Sequence, residues 1–109
     1  MKNLKQENYK QANDQLVKDE KGKVLTTKEL IIIVLKNSRY KTTADQMQAF
    51  AIFTKPNEKL KLEGDKGKQF VKIEDADFEL INKLVESYEP IKVGLTFAPF
   101  LEALKIANQ

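Results

Sequence analysis

The stretch that decides the fold is T-T-K-E-L-I-I-I-V-L-K-N, which occupies residues 26–37. Six consecutive apolar side chains, at residues 30–35, leave no side of the segment free to face water. The segment must therefore lie inside the domain. Four of these residues, 31–34, are β-branched and would suit a buried strand, so the apolar run by itself is consistent with a helix or a strand.

The residues that flank this run favour a helix. Thr26 and Glu29 have the spacing of a capping box, in which each side chain satisfies a backbone N–H of the first turn. Leu25 precedes the cap and lies where it can pack on Leu30 as a hydrophobic staple. Lys36 and the polar residues after it form a stop signal. We therefore predict a helix of about three turns that is buried on most sides.

Composition limits the number of domains and the available chemistry. The chain has 109 residues, of which 41% are hydrophobic, which is enough for one core and too few for two. It contains no cysteine and no histidine, so it lacks thiolates and the residue that most often acts as a general base or a zinc ligand. We therefore predict one domain that is not an enzyme and that binds no cofactor or metal ion.

The charges are divided unevenly along the chain. Residues 1–72 hold 16 lysines and arginines against 9 acidic residues, a net +7, whereas residues 73–109 hold 3 against 7, a net −4. This division would favour head-to-tail contact between neighbouring copies of the chain. Charges that face solvent within one fold are the alternative and the commoner case.

The N-terminal segment is poor in apolar residues. Leu4 and Tyr9 are its only large apolar side chains besides Met1, which predicts a flexible N-terminal arm over residues 1–14 and a single α+β domain over residues 15–109. Apolar pairs on either side of Gly22 predict a β-hairpin that leads into the central helix.

A second helix is predicted after the central one. Thr43 and Gln46 form a second capping box, and the helix runs to about Lys55, where Pro56 ends it. Several of its residues share one face at helical spacing, which predicts that this face belongs to the core. They are Met47, Phe50, Ala51 and Thr54, with Phe53 beside them.

The remaining elements complete the fold class. Alternating leucines and a later apolar run predict a second hairpin over residues 57–73, with the exposed loop E-G-D-K-G-K. Asp75 and Thr96 are the predicted caps of two further helices. The acidic residues near Asp75 are explained by the helix dipole, so they predict no metal site. The result is an α+β class: a helix-rich small domain with about four helices and two short β-hairpins.

Two sets of residues are candidates for partner contact. The arm, the loop of the second hairpin and the exposed side of the last helix are the predicted protein contacts, and a lysine-rich face is the alternative contact for nucleic acid. The protein-contact set is Tyr9, Gly64, Asp65, Lys66, Gly67 and Lys68. The nucleic-acid set is Arg39, Lys41, Lys55, Lys59 and Lys61.

The order of segments resembles that of a group of phage proteins. The segments K-D-E-K-G-K-V-L-T-T-K-E-L-I-I-I-V-L, a middle helix over residues 47–53, F-V-K-I-E-D-A-D-F-E-L-I-N-K-L-V-E and P-I-K-V-G are similar to small accessory proteins of tailed phages and prophages. The resemblance implies a small protein that binds other proteins in the virion or during its assembly, and we expect it to act in several copies. No apolar run approaches the ~20 residues of a membrane span, and residues 1–10 lack the apolar segment of a signal peptide. We therefore expect the protein in the host cytoplasm or the virion.

Overall fold

The computed structural model describes residues 1–10, 15–18, 21–65, 67–91 and 96–107. Over these residues the chain forms a three-stranded antiparallel sheet, five α-helices and one turn of 3-10 helix at Glu89–Ile91, so the predicted α+β class is confirmed. The strands are β1 (Lys2–Lys5), β2 (Lys61–Asp65) and β3 (Lys68–Ile73). The helices are α1 (Thr27–Asn37), α2 (Thr43–Thr54), α3 (Pro56–Lys59), α4 (Asp75–Glu86) and α5 (Ala98–Ala107).

The central segment is a helix, as its flanks predict. Thr26 has an extended backbone and its hydroxyl accepts a hydrogen bond from the Glu29 N–H at 3.4 Å, which is one half of the capping box. The Glu29 carboxylate instead pairs with Lys23 at 3.2 Å. Helix α1 buries Leu30, Ile31, Val34 and Leu35, whereas the two isoleucines between them, at positions 32 and 33, are half-buried.

The N-terminal segment is part of the sheet, so the prediction of a flexible arm is wrong for residues 2–10. Strand β1 pairs antiparallel with β3, and Leu4 lies opposite Val71. Leu4 is fully buried and Tyr9 is 2% exposed. The strand is too short to produce a recognisable apolar alternation, and its stability comes from pairing with a distant strand. Residues 11–14 of the predicted arm lie outside the described residues.

The two segments of the predicted first hairpin pair with each other and also with the N-terminal segment. Lys18 and Val24 form an antiparallel bridge, as a hairpin requires. A closed ring of backbone hydrogen bonds then joins three segments: Tyr9 N–H to Leu25 C=O (3.4 Å), Leu25 N–H to Val17 C=O (2.8 Å) and Val17 N–H to Tyr9 C=O (2.8 Å). The ring binds the N-terminal segment to the start of α1.

The second hairpin is confirmed, but it begins at Lys61, because residues 57–59 of the predicted span belong to helix α3. Strands β2 and β3 pair antiparallel from Lys61 opposite Lys72 to Asp65 opposite Lys68. Gly64 has a φ of +115°, and a Cβ atom at that position would lie 2.3 Å from the Lys68 carbonyl oxygen. A residue with a side chain would be strained there, so the hairpin requires glycine at this position.

Two of the predicted helix caps are displaced by one residue. Helix α2 is capped by Thr42 instead of Thr43, because the Asp45 N–H donates to the Thr42 hydroxyl at 3.1 Å. Asp75 is the first residue of α4 and does not cap it; its carboxylate pairs with the N-terminal ammonium at 2.9 Å. That hydrogen bond lowers the pKa of Asp75.

None of the described helices is long and apolar enough to cross a bilayer.

Candidate protein-contact surface on α2

Helix α2 is apolar on every side. Seven of its twelve residues are apolar, and successive ones fall at different angles around the helix axis, so no single stripe collects them. They are Ala44, Met47, Ala49, Phe50, Ala51, Ile52 and Phe53. A helix of this composition is usually buried on all sides.

One side of α2 is held tightly against the domain. Ala49 and Ile52 are fully buried, and α2 contacts both α1 and α4 on this side. The Gln48 amide donates to the Asp77 carboxylate at 2.9 Å, and Lys83 reaches Asp45 at 2.8 Å. The Gln48 amide also donates to the Ala76 carbonyl at 3.1 Å. The orientation of the helix is therefore fixed by packing and by three polar contacts to α4.

The opposite side of α2 faces solvent. Met47 is 68% exposed and Phe50 is 59% exposed, and Ala51 and Thr54 beside them are also exposed. The prediction that these four residues form the core face is wrong, because Ala49 and Ile52 occupy the interior instead. We call Met47, Phe50, Ala51 and Thr54 the α2 surface.

Aromatic contacts extend the α2 surface toward α1. The rings of Phe50 and Phe53 meet edge to face, with 5.4 Å between their centroids and an interplanar angle of 77°. Phe53 is half-buried, and the Lys36 ammonium lies 5.9 Å from its ring centroid. Phe50 is therefore supported from one side by a second ring, which holds it in place while it faces solvent.

The α2 surface is electrically neutral. Asp45 is the only ionisable residue of α2, and it lies on the side that faces α4. The hydrogen bond from Lys83 lowers the pKa of Asp45, so this carboxylate is ionised and paired at neutral pH. The exposed arc of the helix consequently presents methyl, thioether, aromatic and hydroxyl groups without a charge.

The structure separates the predicted protein-contact residues. Tyr9 is buried, and its hydroxyl lies 2.8 Å from the Thr27 hydroxyl, so the prediction that Tyr9 contacts a partner is wrong. Burial raises the pKa of Tyr9. The hairpin residues Gly64, Asp65, Gly67 and Lys68 are exposed, which leaves their predicted role untested, and Lys66 lies outside the described residues.

The predicted nucleic-acid residues do not form one patch. Arg39 and Lys41 precede α2, whereas Lys55, Lys59 and Lys61 follow it. Twelve helical residues rise about 18 Å, so the two groups lie at opposite ends of the helix. These five candidate residues are therefore divided between the loop that joins α1 to α2 and the segment that runs from the end of α2 to β2.

Arg39 and Lys41 instead line a cleft of about 620 Å³ between the α1–α2 loop and the end of α4. Tyr40, Lys83 and Tyr88 also line it. The Tyr40 hydroxyl donates to the Leu35 carbonyl, and burial raises the pKa of Tyr40. The cleft is thus lined by cations and phenol rings together with the carboxylates of Asp45 and Glu89.

Two further findings concern metal ions and the comparison with known proteins. In the described part of the chain, no three acidic side chains converge into a set that could hold a metal ion. No protein-family model, curated protein or solved structure matches the chain. The sequence signal for the α2 surface was the spread of apolar residues around α2, which a single stripe does not explain.

Proposed function

We propose that this chain is a non-enzymatic protein-contact module that associates with a second copy of itself through the α2 surface. The observation that supports this proposal is the exposure of Met47 and Phe50 on a helix that is apolar all round. Exposed apolar patches of this kind are typical of interaction sites. The resemblance to tailed-phage accessory proteins supports a role in the virion or its assembly, with the protein in the host cytoplasm or the virion.

A second copy suits the α2 surface because the surface is neutral. In a two-fold contact each residue meets the same patch on the partner, so a charged patch would repel itself. Met47, Phe50 and Ala51 carry no charge, and the small Ala51 side chain allows two helix backbones to approach closely. The contact therefore does not depend on the uneven division of charge along the sequence.

The length of α2 limits the strength of the contact. A helix of about 18 Å presents much less area than the ~1,200–2,000 Å² buried in specific, stable interfaces. We therefore expect a weak dimer whose population rises with protein concentration, or a larger assembly in which further contacts add to this one.

Sedimentation equilibrium tests the proposal. The wild-type weight-average mass should rise above that of the monomer as the concentration increases, whereas Phe50→Glu should stay monomeric because it places a charge at the centre of the surface. Ile106→Glu is the matched control, since it introduces the same charge at an exposed apolar residue of α5 and should associate as the wild type does. A wild-type protein that is monomeric throughout, or equal loss in both variants, would contradict the proposal.

The absence of cysteine allows a second, geometric test. In the Ala51→Cys variant, two thiols near a two-fold axis should form an intermolecular disulfide under mild oxidation. Ala98→Cys places a thiol at another exposed alanine, at the start of α5, and should remain largely unlinked. Equal yields of linked dimer from the two variants would show random collision instead of a contact through α2.

A further inference from the structure

The side of the sheet that faces away from the core is open to solvent. The register of the three strands and the alternation of side chains along each strand decide which residues point to this side. Leu4, Val71 and Ile73 point to the core and are buried. The outer sheet face consists of Asn3, Lys5, Lys61, Glu63, Asp65, Lys68, Phe70 and Lys72.

Phe70 occupies the centre of the outer sheet face. It lies on the middle strand and is flanked by Lys5 on β1 and Glu63 on β2. It is 44% exposed, although large aromatic residues usually bury most of their surface. In the part of the chain that the structure describes, lysines lie over the rings of Phe53 and Phe78, and no such contact occurs at Phe70. The ring is therefore available to a flat apolar ligand.

Lysines surround Phe70 on both sides. Lys68 and Lys72 lie two residues before and after it on β3, which places their Cα atoms about 7 Å from that of Phe70. Lys72 pairs with Glu63 at 2.6 Å, and Lys5 lies 3.4 Å from Glu7. Lys61 and Lys68 make no ion pair with any described residue.

The charge balance of this face is positive. Four lysines stand against two carboxylates, and the Glu63 carboxylate is already engaged by Lys72. Lys5 also faces the Glu7 carboxylate, but at 3.4 Å and with 63% of its side chain exposed it can contact a phosphate as well. A ligand that carries several negative charges next to planar rings would match both the exposed ring of Phe70 and the positive charge of this face. Single-stranded nucleic acid has this chemistry, because its bases stack on aromatic side chains and its phosphates contact lysine.

We propose that the outer sheet face binds single-stranded nucleic acid, with a base stacked on Phe70 and phosphates contacted by Lys5, Lys61 and Lys68. A duplex keeps its bases stacked on each other, so it cannot offer a free base face to Phe70. Lysine contacts to phosphates position a strand without reading base edges. The face therefore binds with little sequence preference.

Fluorescence anisotropy with labelled 12-nucleotide probes, oligo(dT) and oligo(U), tests this proposal and distinguishes DNA from RNA. Three phosphate contacts predict a slope of about −2.1 in log K against log salt, which is roughly an 18-fold loss of affinity between 50 and 200 mM salt. Both single strands should bind more tightly than a 12-base-pair duplex. Failure of both single strands to bind at 50 mM salt would overturn the proposal.

Variants on the outer sheet face separate stacking from charge. Phe70→Leu keeps an apolar side chain but removes the flat ring, and it should weaken binding about tenfold with an unchanged salt slope. The double variant Lys61→Gln with Lys68→Gln should reduce the slope by about 1.4, because two phosphate contacts are lost. Circular dichroism should show that both variants keep the wild-type fold, since all three residues are exposed.

Controls outside the face complete the test. Lys41→Gln removes one charge in the cleft near α4 and should leave binding unchanged, and so should Phe50→Glu, since the α2 surface lies elsewhere in the fold. Binding that survives Phe70→Leu but is lost in Lys41→Gln would overturn the proposal and assign the ligand to the cleft. Tighter binding to anionic vesicles than to either oligonucleotide would overturn it in favour of a membrane surface.

Discussion

The burial of the N-terminal segment and of helix α2 is the opposite of what their compositions suggest. Residues 2–10 are mostly polar, yet Leu4 and Tyr9 are 0% and 2% exposed. Helix α2 is mostly apolar, yet Met47 and Phe50 are 68% and 59% exposed. The segment that looks like a solvent-exposed arm contributes two side chains to the core, and the helix face that looks like core lies at the surface.

Backbone hydrogen bonding explains the difference. A strand satisfies its N–H and C=O groups only by pairing with another strand, so β1 gains its stability where β3 offers a free edge. A helix satisfies its own backbone internally, so α2 can leave one side in solvent without leaving peptide groups unpaired. The apolar content of a surface helix is therefore a poor predictor of its burial. For a strand, pairing with a neighbouring strand is the better predictor.

Thr27 secures the N-terminal segment at the start of α1. It is fully buried and its hydroxyl donates to the Lys5 carbonyl at 2.9 Å, so the Tyr9 hydroxyl must act as the donor in their shared 2.8 Å contact. The Glu7 N–H donates to the same Thr27 oxygen at 3.0 Å. One buried hydroxyl thus joins three points of the N-terminal segment to the central helix.

The largest expected effect comes from placing a charge in each region. Leu4→Asp should unfold the protein, because an unpaired carboxylate in the core costs several kcal/mol against a total stability of about 5–15 kcal/mol. Phe50→Asp should keep the wild-type fold. Far-ultraviolet circular dichroism and urea titration measure both. A folded Leu4→Asp protein of wild-type stability would show that the N-terminal segment is an arm after all.

A smaller effect is expected from truncating the same regions to alanine. Leu4→Ala should lower the free energy of unfolding by about 2–5 kcal/mol, since it removes buried methyl groups and leaves a cavity. Met47→Ala should change it by no more than about 0.5 kcal/mol in the monomer. Urea unfolding at low protein concentration, where α2 contacts are dissociated, provides the comparison. Equal losses of unfolding free energy in the two variants would contradict the prediction that the N-terminal segment stabilises the core and the α2 surface does not.

The smallest expected effect concerns the Tyr9 hydroxyl. Tyr9→Phe should cost about 1 kcal/mol at pH 7, because it removes one buried hydrogen bond to Thr27. The raised pKa of Tyr9 means that the stability due to the neutral hydroxyl is complete below about pH 10 and is lost as the pH rises above that value.

The pH dependence provides the check on Tyr9. By pH 11 the unfolded tyrosine is mostly ionised, and linkage predicts that the wild type loses about 1.4 kcal/mol that the Phe variant does not lose. The advantage of about 1 kcal/mol that the wild type has at pH 7 should therefore vanish between pH 10 and pH 11, and at pH 11 the Phe variant should be the more stable protein by about 0.4 kcal/mol. A difference that stays constant from pH 7 to pH 11 would indicate that Tyr9 ionises freely, which is incompatible with its burial.

Local signals predicted the elements whose stabilising contacts lie close together in the sequence. The cap of α1 involves Thr26 and Glu29, three residues apart, and the hairpin of β2 and β3 is closed by glycines that adopt positive φ angles. The predicted caps, Thr43 and Asp75, each lie one residue too late, because several polar residues in a row can serve as a cap and only the backbone geometry selects one.

The candidate surfaces were harder to predict than the helices. Helical spacing correctly places Met47, Phe50, Ala51 and Thr54 on one side of α2, but it does not indicate whether that side faces the core. Phe70 was predicted as an apolar residue of the second hairpin, and its exposure depends on the register with β1. The basic residues Lys61 and Lys68 join Lys5 on one face only because the N-terminal strand adds to the sheet.

The sequence by itself determined the central helix, the second hairpin and the apolar character of α2 on every side. The tertiary structure decided that the N-terminal segment is a strand, which side of α2 faces solvent and which lysines share the outer sheet face. The physical reason is the separation along the sequence between residues that contact each other. Caps and turns are satisfied within a few residues, whereas the pairing of β1 with β3 and the packing of Ala49 and Ile52 depend on partners from distant parts of the chain.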